Sequence, residues 1–351
     1  MTMRGIRIVV WAGVACAAGL GLALTTGRGA VSAVATIPRA VEGATAGPAA
    51  EGGIRGVWTA ERSRWRVENG QTATLVQLSL RRVGPKGEWN SGETVPLAEL
   101  PGLTAAMLDA SAADVRFEWV RDAGRFALQG RFETGAGAGH FTFAANPDYV
   151  ADMKRRGYGT IDDEKALRLA LHDVSRAFVG ELAALGYERL PLDELFSLRI
   201  HGASPEFIRG LAALGYRKVP VDDLVSLRIH GASLDFVREM QDLGFKGLPV
   251  ETLVSFRIHG VSPEYVRAFR GQGYASLTGD QLVSMRIHGV SPEFVKELSG
   301  LGYSGVAVDD LVSLRIHGVT GDFIRRIQSR SGKDVSVDRL VSMRIHGEGN
   351  E

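Results

Sequence analysis

The chain changes its hydrophobic rhythm twice. Residues 8–24, IVVWAGVACAAGLGLAL, are almost wholly apolar and follow a short stretch carrying Arg4 and Arg7. From about Ile54 to Ala145 the period is two. Val76, Leu78 and Leu80 alternate with Gln77, Ser79 and Arg81; Val115, Phe117 and Trp119 alternate with Arg116 and Glu118. Phe126, Leu128 and Phe132 continue the alternation, and Phe141 and Phe143 close it. Such segments bury one face and wet the other, which predicts an antiparallel β-meander curled into a partial barrel. Asp122-Ala123-Gly124 and the stretch Gly135 to Gly139 supply its turns, and Leu100 to Ala112 is a short helix over one end. Trp58, Trp65 and Trp89 read as core or barrel-end plugs.

From Asn146 the period becomes helical and the text repeats. His172, His201, His230, His259, His288, His317 and His346 stand 29 residues apart, and Gly-Tyr or Gly-Phe recurs in the same register. The units start at Asn146, Ser175, Ser204, Ser233, Ser262, Ser291 and Thr320. A fixed period of this length predicts a stacked array in which each unit buries its apolar face against its neighbours.

In the unit from Ser291 to Val319, Ser291 is an N-cap, Pro292 occupies the first helical position and Glu293 favours the positive helix end. Phe294, Val295, Leu298 and Leu301 form an apolar stripe, Gly302 a left-handed stop, and Tyr303 the hydrophobic partner of a Schellman turn. A second helix runs from about Val308, with Leu311, Val312 and Ile316 in its stripe, and stops at Gly318. Val319 staples onto Ile324. The fold class is therefore α+β: a small antiparallel β-meander or partial barrel, then an α-solenoid of seven 29-residue helix–turn–helix repeats. The domains are a signal peptide or N-terminal membrane anchor over 1–35, an Ala/Gly/Pro-rich linker over 36–53, the β-domain over 54–145 and the solenoid over 146–348. Between the first two units the grammar breaks, with Asp173 for the stop glycine and Arg176 for the proline. A fused helix competes there with a retained turn, and the retained turn, with Asp173 at positive φ, is favoured because Asp tolerates that conformation.

The polar residues of S-x-R-I-H-G recur as faithfully as the apolar ones. They form a candidate binding or structural ladder: Arg199, His201, Arg228, His230, Arg257, His259, Arg286, His288, Arg315, His317, Arg344 and His346. The histidines are expected to cap helix carbonyls or to bond the serine four residues earlier. They are not expected to share a metal, since successive rings lie one repeat apart and zinc needs nitrogens at about 2.0–2.1 Å. For the arginines an acid follows seven residues on. Arg228 is expected to pair with Asp235 and Arg257 with Glu264, because Ala170 and Ala177 replace both partners together at the first junction; a second acid, Asp193 and its equivalents in every repeat, is the alternative partner across the stack.

The motif S-P-E-F-V-x-x-L-x-x-L-G-Y…D-x-L-V-S-L-R-I-H-G-V resembles a repeat of bacterial envelope proteins, and the tails of some beta-lactam-sensor-type membrane metallopeptidases. The resemblance covers about Asn146 to Gly347 and implies envelope location and a role in sensing. It carries no peptidase activity here, because HExxH is absent.

The rest of the composition narrows the function. Net charge is +1, which gives no field to gather nucleic acid. Cys16 is the only cysteine, so no intramolecular disulfide or CxxC zinc site exists. There is no GxSxG, P-loop, GxGxxG before a helix or metal-spaced His cluster. The expectation is a non-enzymatic envelope binding or scaffold protein, with no cofactor, whose partner is a protein or envelope polymer. It is exported, and periplasmic or anchored facing out, touching the membrane only through its N-terminal segment. The alternative is an accessory or sensor module of an envelope signalling system with a ligand in the β-domain.

Overall fold

The computed structural model describes residues 53–63, 74–84, 87–332 and 334–348. The expected signal or anchor over 1–35, nearly all of the linker and Trp65 lie outside them.

Six strands form one antiparallel sheet: β1 (Ile54–Ser63), β2 (Leu75–Gly84), β3 (Gly87–Pro96), β4 (Ala113–Arg121), β5 (Gly124–Glu133) and β6 (Ala136–Ala145). Their order is β3-β2-β1-β6-β5-β4, with β3 and β4 as open edges. The antiparallel sheet of consecutive hairpins is as expected, but its opening falls between β3 and β4, which do not pair. Two three-stranded meanders are joined at the centre, where β1 pairs with β6 and Trp58 stands opposite Gly139. The turn expected over Gly135 to Gly139 is shorter than that, for a steric reason. Gly137 and Gly139 lie inside β6 and not in its turn, which is the Thr134-Gly135 pair at φ 49° and 89°. A Cβ on Gly130 would meet the Trp58 ring at 2.7 Å, and one on Gly137 would meet the Phe132 ring at 2.8 Å. These glycines are the floor on which the large rings lie.

The sheet buries one face. Trp58 packs edge-on against Phe117 at 5.2 Å, and Phe126 lies between Trp119 at 5.1 Å and Phe143 at 4.8 Å. A short helix, α1 (Ala105–Asp109), capped by Thr104, packs on β4 and β5.

β6 ends at Ala145 and Asn146 caps the next helix, its side chain accepting from Asp148 N and Tyr149 N. Fourteen helices follow in pairs. They are α2 (Pro147–Arg155) and α3 (Asp163–Leu171), α4 (Arg176–Ala184) and α5 (Leu192–Ile200), α6 (Pro205–Ala213) and α7 (Val221–Ile229), and α8 (Leu234–Asp242) and α9 (Val250–His259). The last three pairs are α10 (Pro263–Arg270) and α11 (Gly279–Ile287), α12 (Pro292–Gly300) and α13 (Val308–Ile316), and α14 (Gly321–Ser331) and α15 (Val337–Ile345). First helices pack on first helices and, from α5 onward, second on second.

The local chemistry of a pair follows its residues. In α12 the Ser291 side chain accepts from Phe294 N. At its end Gly302 has φ 97°, Gly302 N–H donates to Ser299 O at 3.1 Å and Tyr303 N–H to Leu298 O at 2.9 Å, the two bonds of a Schellman turn. The Tyr303 hydroxyl then donates to Val335 O at 2.7 Å, tying this turn to the next pair. Tyr187 and Tyr274 make the same bond to Val219 and Val306. Val319 and Ile324 are both fully buried.

The first junction keeps its turn. α3 stops at Leu171, Asp173 takes φ 49° and Ser175 caps α4. Arg176, where the other units mostly have proline, donates from its backbone N–H to Asp122 at 2.7 Å and from its guanidinium to the same carboxylate at 2.5–3.0 Å. Asp122 belongs to the β4–β5 turn, and α3 packs on β5 and β6. The rewritten residues hold the helices to the sheet, and sheet and helices share one continuous apolar core.

Candidate functional site

Arg199, Arg228, Arg257, Arg286 and Arg315 do not pair with the acids seven residues on among the described residues. Asp235 binds Arg238 at 2.5 Å and Glu264 binds Arg267 at 3.3 Å, each inside its own helix. The ladder arginines instead turn backward. Arg228 lies over the Phe207 ring at 5.1 Å, Arg257 over Phe236 at 5.1 Å, Arg286 over Tyr265 at 4.7 Å and Arg315 over Phe294 at 5.0 Å. Arg199 and Arg344 lie likewise over Phe178 and Phe323.

The same guanidinium reaches the C-terminus of the preceding second helix. Arg199 Nε donates to His172 O at 3.0 Å, Arg257 Nε to His230 O at 3.4 Å and Arg286 Nε to His259 O at 3.2 Å. A Cβ on Gly202 would meet Arg228 at 3.4 Å. Arg199, Arg257 and Arg286 thus lie between an aromatic face and a helix end whose carbonyls carry partial negative charge, whereas Arg315 keeps the aromatic contact but its Nε is buried without a partner among the described residues. The joint loss at Ala170 and Ala177 therefore has another cause than pairing. α3 has no preceding pair, only the sheet, and Ala170 is fully buried. Arg344 persists at the last pair because its partners, Phe323 and the turn at Gly318, lie behind it.

Each histidine falls where expected along its helix, at the C-terminal end of the second member of a pair. The expected ring bonds do not follow. His230, His259, His288, His317 and His346 are exposed, and among the described residues only the His346 ring makes a hydrogen bond, Nδ1 to Ser342 O at 2.8 Å. The backbone carbonyl is what the arginine clamp uses. His172 differs: it is half-buried, edge-on to Phe196 at 5.4 Å, and burial with nearby Arg168 and Arg199 pushes its pKa below 6.5. Among the described residues no group of three His, Cys, Asp or Glu side chains is placed to hold a metal.

A different row was misread. Ile316, assigned above to a core stripe, is exposed, and so are Ile200, Ile229, Ile258, Ile287 and Ile345, all between 55% and 57%. On the helix Ile316 lies roughly 140° around from buried Leu311, which is the signal that separates it from the core. Two turns earlier on the same stripe stand Asp193, Asp222, Glu251, Asp280, Asp309 and Asp338, all exposed, with a serine between acid and isoleucine. Asp193 approaches Arg168 at 3.8 Å; the other five acids make no ion pair among the described residues. Six second helices therefore present an acid, a serine and an isoleucine each, in register.

At the sheet end, Glu93 on β3 lies within electrostatic range of Arg121 on β4, Arg199 and Asp173. Burial raises its pKa above 4.5 against the pull of the two arginines. Asp173 in turn binds Arg199. Trp119 Nε1 and Arg121 Nε are buried without a partner among the described residues.

No helix among the described residues is long and apolar enough to cross a membrane. No protein-family model matches the chain, and no curated protein matches it.

Proposed function

We propose that this chain is a non-enzymatic binding and scaffold protein of the cell envelope, and that its fourteen helices are an α-solenoid of seven 29-residue repeats presenting an extended recognition surface. The supporting observation is the row of six half-exposed isoleucines, identical in kind and register. An isolated surface isoleucine needs no explanation, but a regular row of them marks an interaction surface. Helix starts at Pro147, Arg176, Pro205, Leu234, Pro263, Pro292 and Gly321 keep the 29-residue period that a stacked array requires. The arginine clamps favour the same reading, since Arg199, Arg257 and Arg286 each join their unit to the one before it and leave the isoleucines uncovered. Envelope location rests on the apolar N-terminal segment and on the resemblance of the repeat motif. The sensor alternative, with a ligand inside the β-domain, is less favoured because aromatic rings fill the buried face of the sheet.

A photo-crosslinking residue at Ile258 in the full chain, expressed in the native envelope, tests the reading. The expected result is a discrete crosslinked species that the same residue at Arg238, on a first helix, does not give. Equal capture from both positions, or none from Ile258, would overturn it.

A further inference from the structure

We infer that the isoleucine and acid rows together form a docking track for a cationic, apolar segment of a partner polypeptide. The segment places a Lys or Arg against the acids and an apolar side chain against the isoleucines. The inference rests on the binding reading above and specifies its partner.

The argument comes from the first pair, where the chain fills the track itself. Glu164 and Leu171 stand 29 residues before Asp193 and Ile200 and occupy the same two positions on α3. There they are not free. Glu164 forms an ion pair with Arg82 of β2, both side chains largely covered, and Leu171 is buried on a helix that packs against β5 and β6. One cation on the acid and apolar contact on the aliphatic residue is thus the arrangement this fold uses where the track is covered. The next six pairs repeat both halves of the site, and five of their acids have no cation among the described residues.

Charge selects among occupants. An anionic lipid surface would meet five unpaired carboxylates, and a second copy would bring its own acid row toward the first, since like charges juxtaposed oppose association. A segment bearing Lys or Arg beside apolar side chains satisfies both rows. Regular spacing extends the match, because stacked helices about 8–10 Å apart offer one acid and one isoleucine per step, and an extended chain covers that distance in about three residues.

The test uses the full chain in mild detergent and a fluorescent peptide alternating Lys and Leu, with Glu–Leu and Lys–Ser peptides as controls. Binding is read by anisotropy for the native chain, for the triple variant D222N/E251Q/D280N and for the triple variant I229S/I258S/I287S. These side chains are exposed, and unchanged thermal midpoints confirm that the variants fold. The expected result is selective binding of the Lys–Leu peptide, weakened about ten-fold or more by either triple variant. Equal Lys–Leu affinity in all three proteins overturns the inference, as does equal affinity for Glu–Leu. A dimer that dissociates in the isoleucine variant, with no peptide bound, assigns the track to a second copy and overturns it. Binding to phosphatidylglycerol vesicles that the acid variant strengthens assigns it to a membrane, with the same consequence. Crosslinking from Ile258 that persists without Lys–Leu binding overturns the cationic partner alone and leaves the binding scaffold standing.

Discussion

A junction in the middle of the helical stack and the junction beside the sheet solve one problem with different residues. In the middle, Arg257 lies over Phe236 and donates to His230 O, so that one guanidinium holds the helices of its own pair and the end of the pair before. At the sheet that arrangement is impossible, since no helix pair precedes α2 and α3. Ala170 takes the arginine position and is buried, and the holding contacts move to Arg176 on Asp122 and Arg82 on Glu164. The lesson is directional. A polar residue that repeats down a stack is lost at the end toward which it reaches, and the ladder arginines reach toward the N-terminus.

Breaking the sheet junction is expected to cost more than breaking a regular one. Asp122 accepts from both the backbone and the side chain of Arg176. Burial alone would raise its pKa, but the Arg176 hydrogen bonds and charge outweigh it and hold the carboxyl below its ordinary 3.8. A lowered pKa in the folded state means stability that is present above the unfolded value and lost as pH falls through the folded one. D122N is expected to cost about 1–2 kcal/mol at neutral pH, measured by denaturant unfolding. The gap to the native chain should close as pH drops below 3.8. A gap that stays constant with pH would mean that Asp122 acts through packing and not through its charge.

At a regular junction the expected cost is smaller and its chemistry more particular. R257A is expected to lose about 1 kcal/mol, the combined order of a cation–π contact and a helix-end interaction. R257K should recover little of it, because an ammonium cannot lie flat on Phe236 while donating sideways to His230 O. In a double-mutant cycle, R257A and E264A should be additive, whereas R257A and F236L should not. Coupling between Arg257 and Glu264 would restore the pairing expected from sequence and remove the directional account.

What the sequence revealed and what it hid divide along the range of the interaction. Caps, stops and the turn at Asp173 are decided within five or six residues, so Ser291, Pro292 and Gly302 announce them by type. The partner of Arg257 was not legible, because it is a ring 21 residues back and a backbone carbonyl 27 residues back, and a carbonyl has no letter. The acid seven residues on was visible and was wrong. In the sheet, glycines in β6 read as turn residues because turn and close packing both call for glycine, and only the position of Trp58 opposite Gly139 distinguishes them. The isoleucine row was hidden by its own apolarity, which placed it in the core until the helical angle was taken into account.

The smallest expected effect concerns the one histidine that the sheet junction makes unlike the others. His172 occupies the same place on its helix as His259, yet its ring is half-buried against Phe196 with Arg168 and Arg199 nearby, while that of His259 is exposed. Burial and the two cations both oppose a proton on His172, so its folded pKa lies below 6.5. The unfolded chain then binds that proton more readily than the folded one. Stability from this site is complete above pH 6.5 and is lost as pH falls from there through the folded value. Replacing the ring with glutamine removes the titration at the cost of some packing on Phe196. The native chain should therefore lose more of its urea midpoint between pH 7.5 and pH 5.5 than H172Q does, although H172Q begins lower. A larger loss in H172Q than in the native chain would mean that the ring accepts its proton more readily when folded. Asp173, the next residue along the chain and bound to Arg199, would then be the charge that His172 feels.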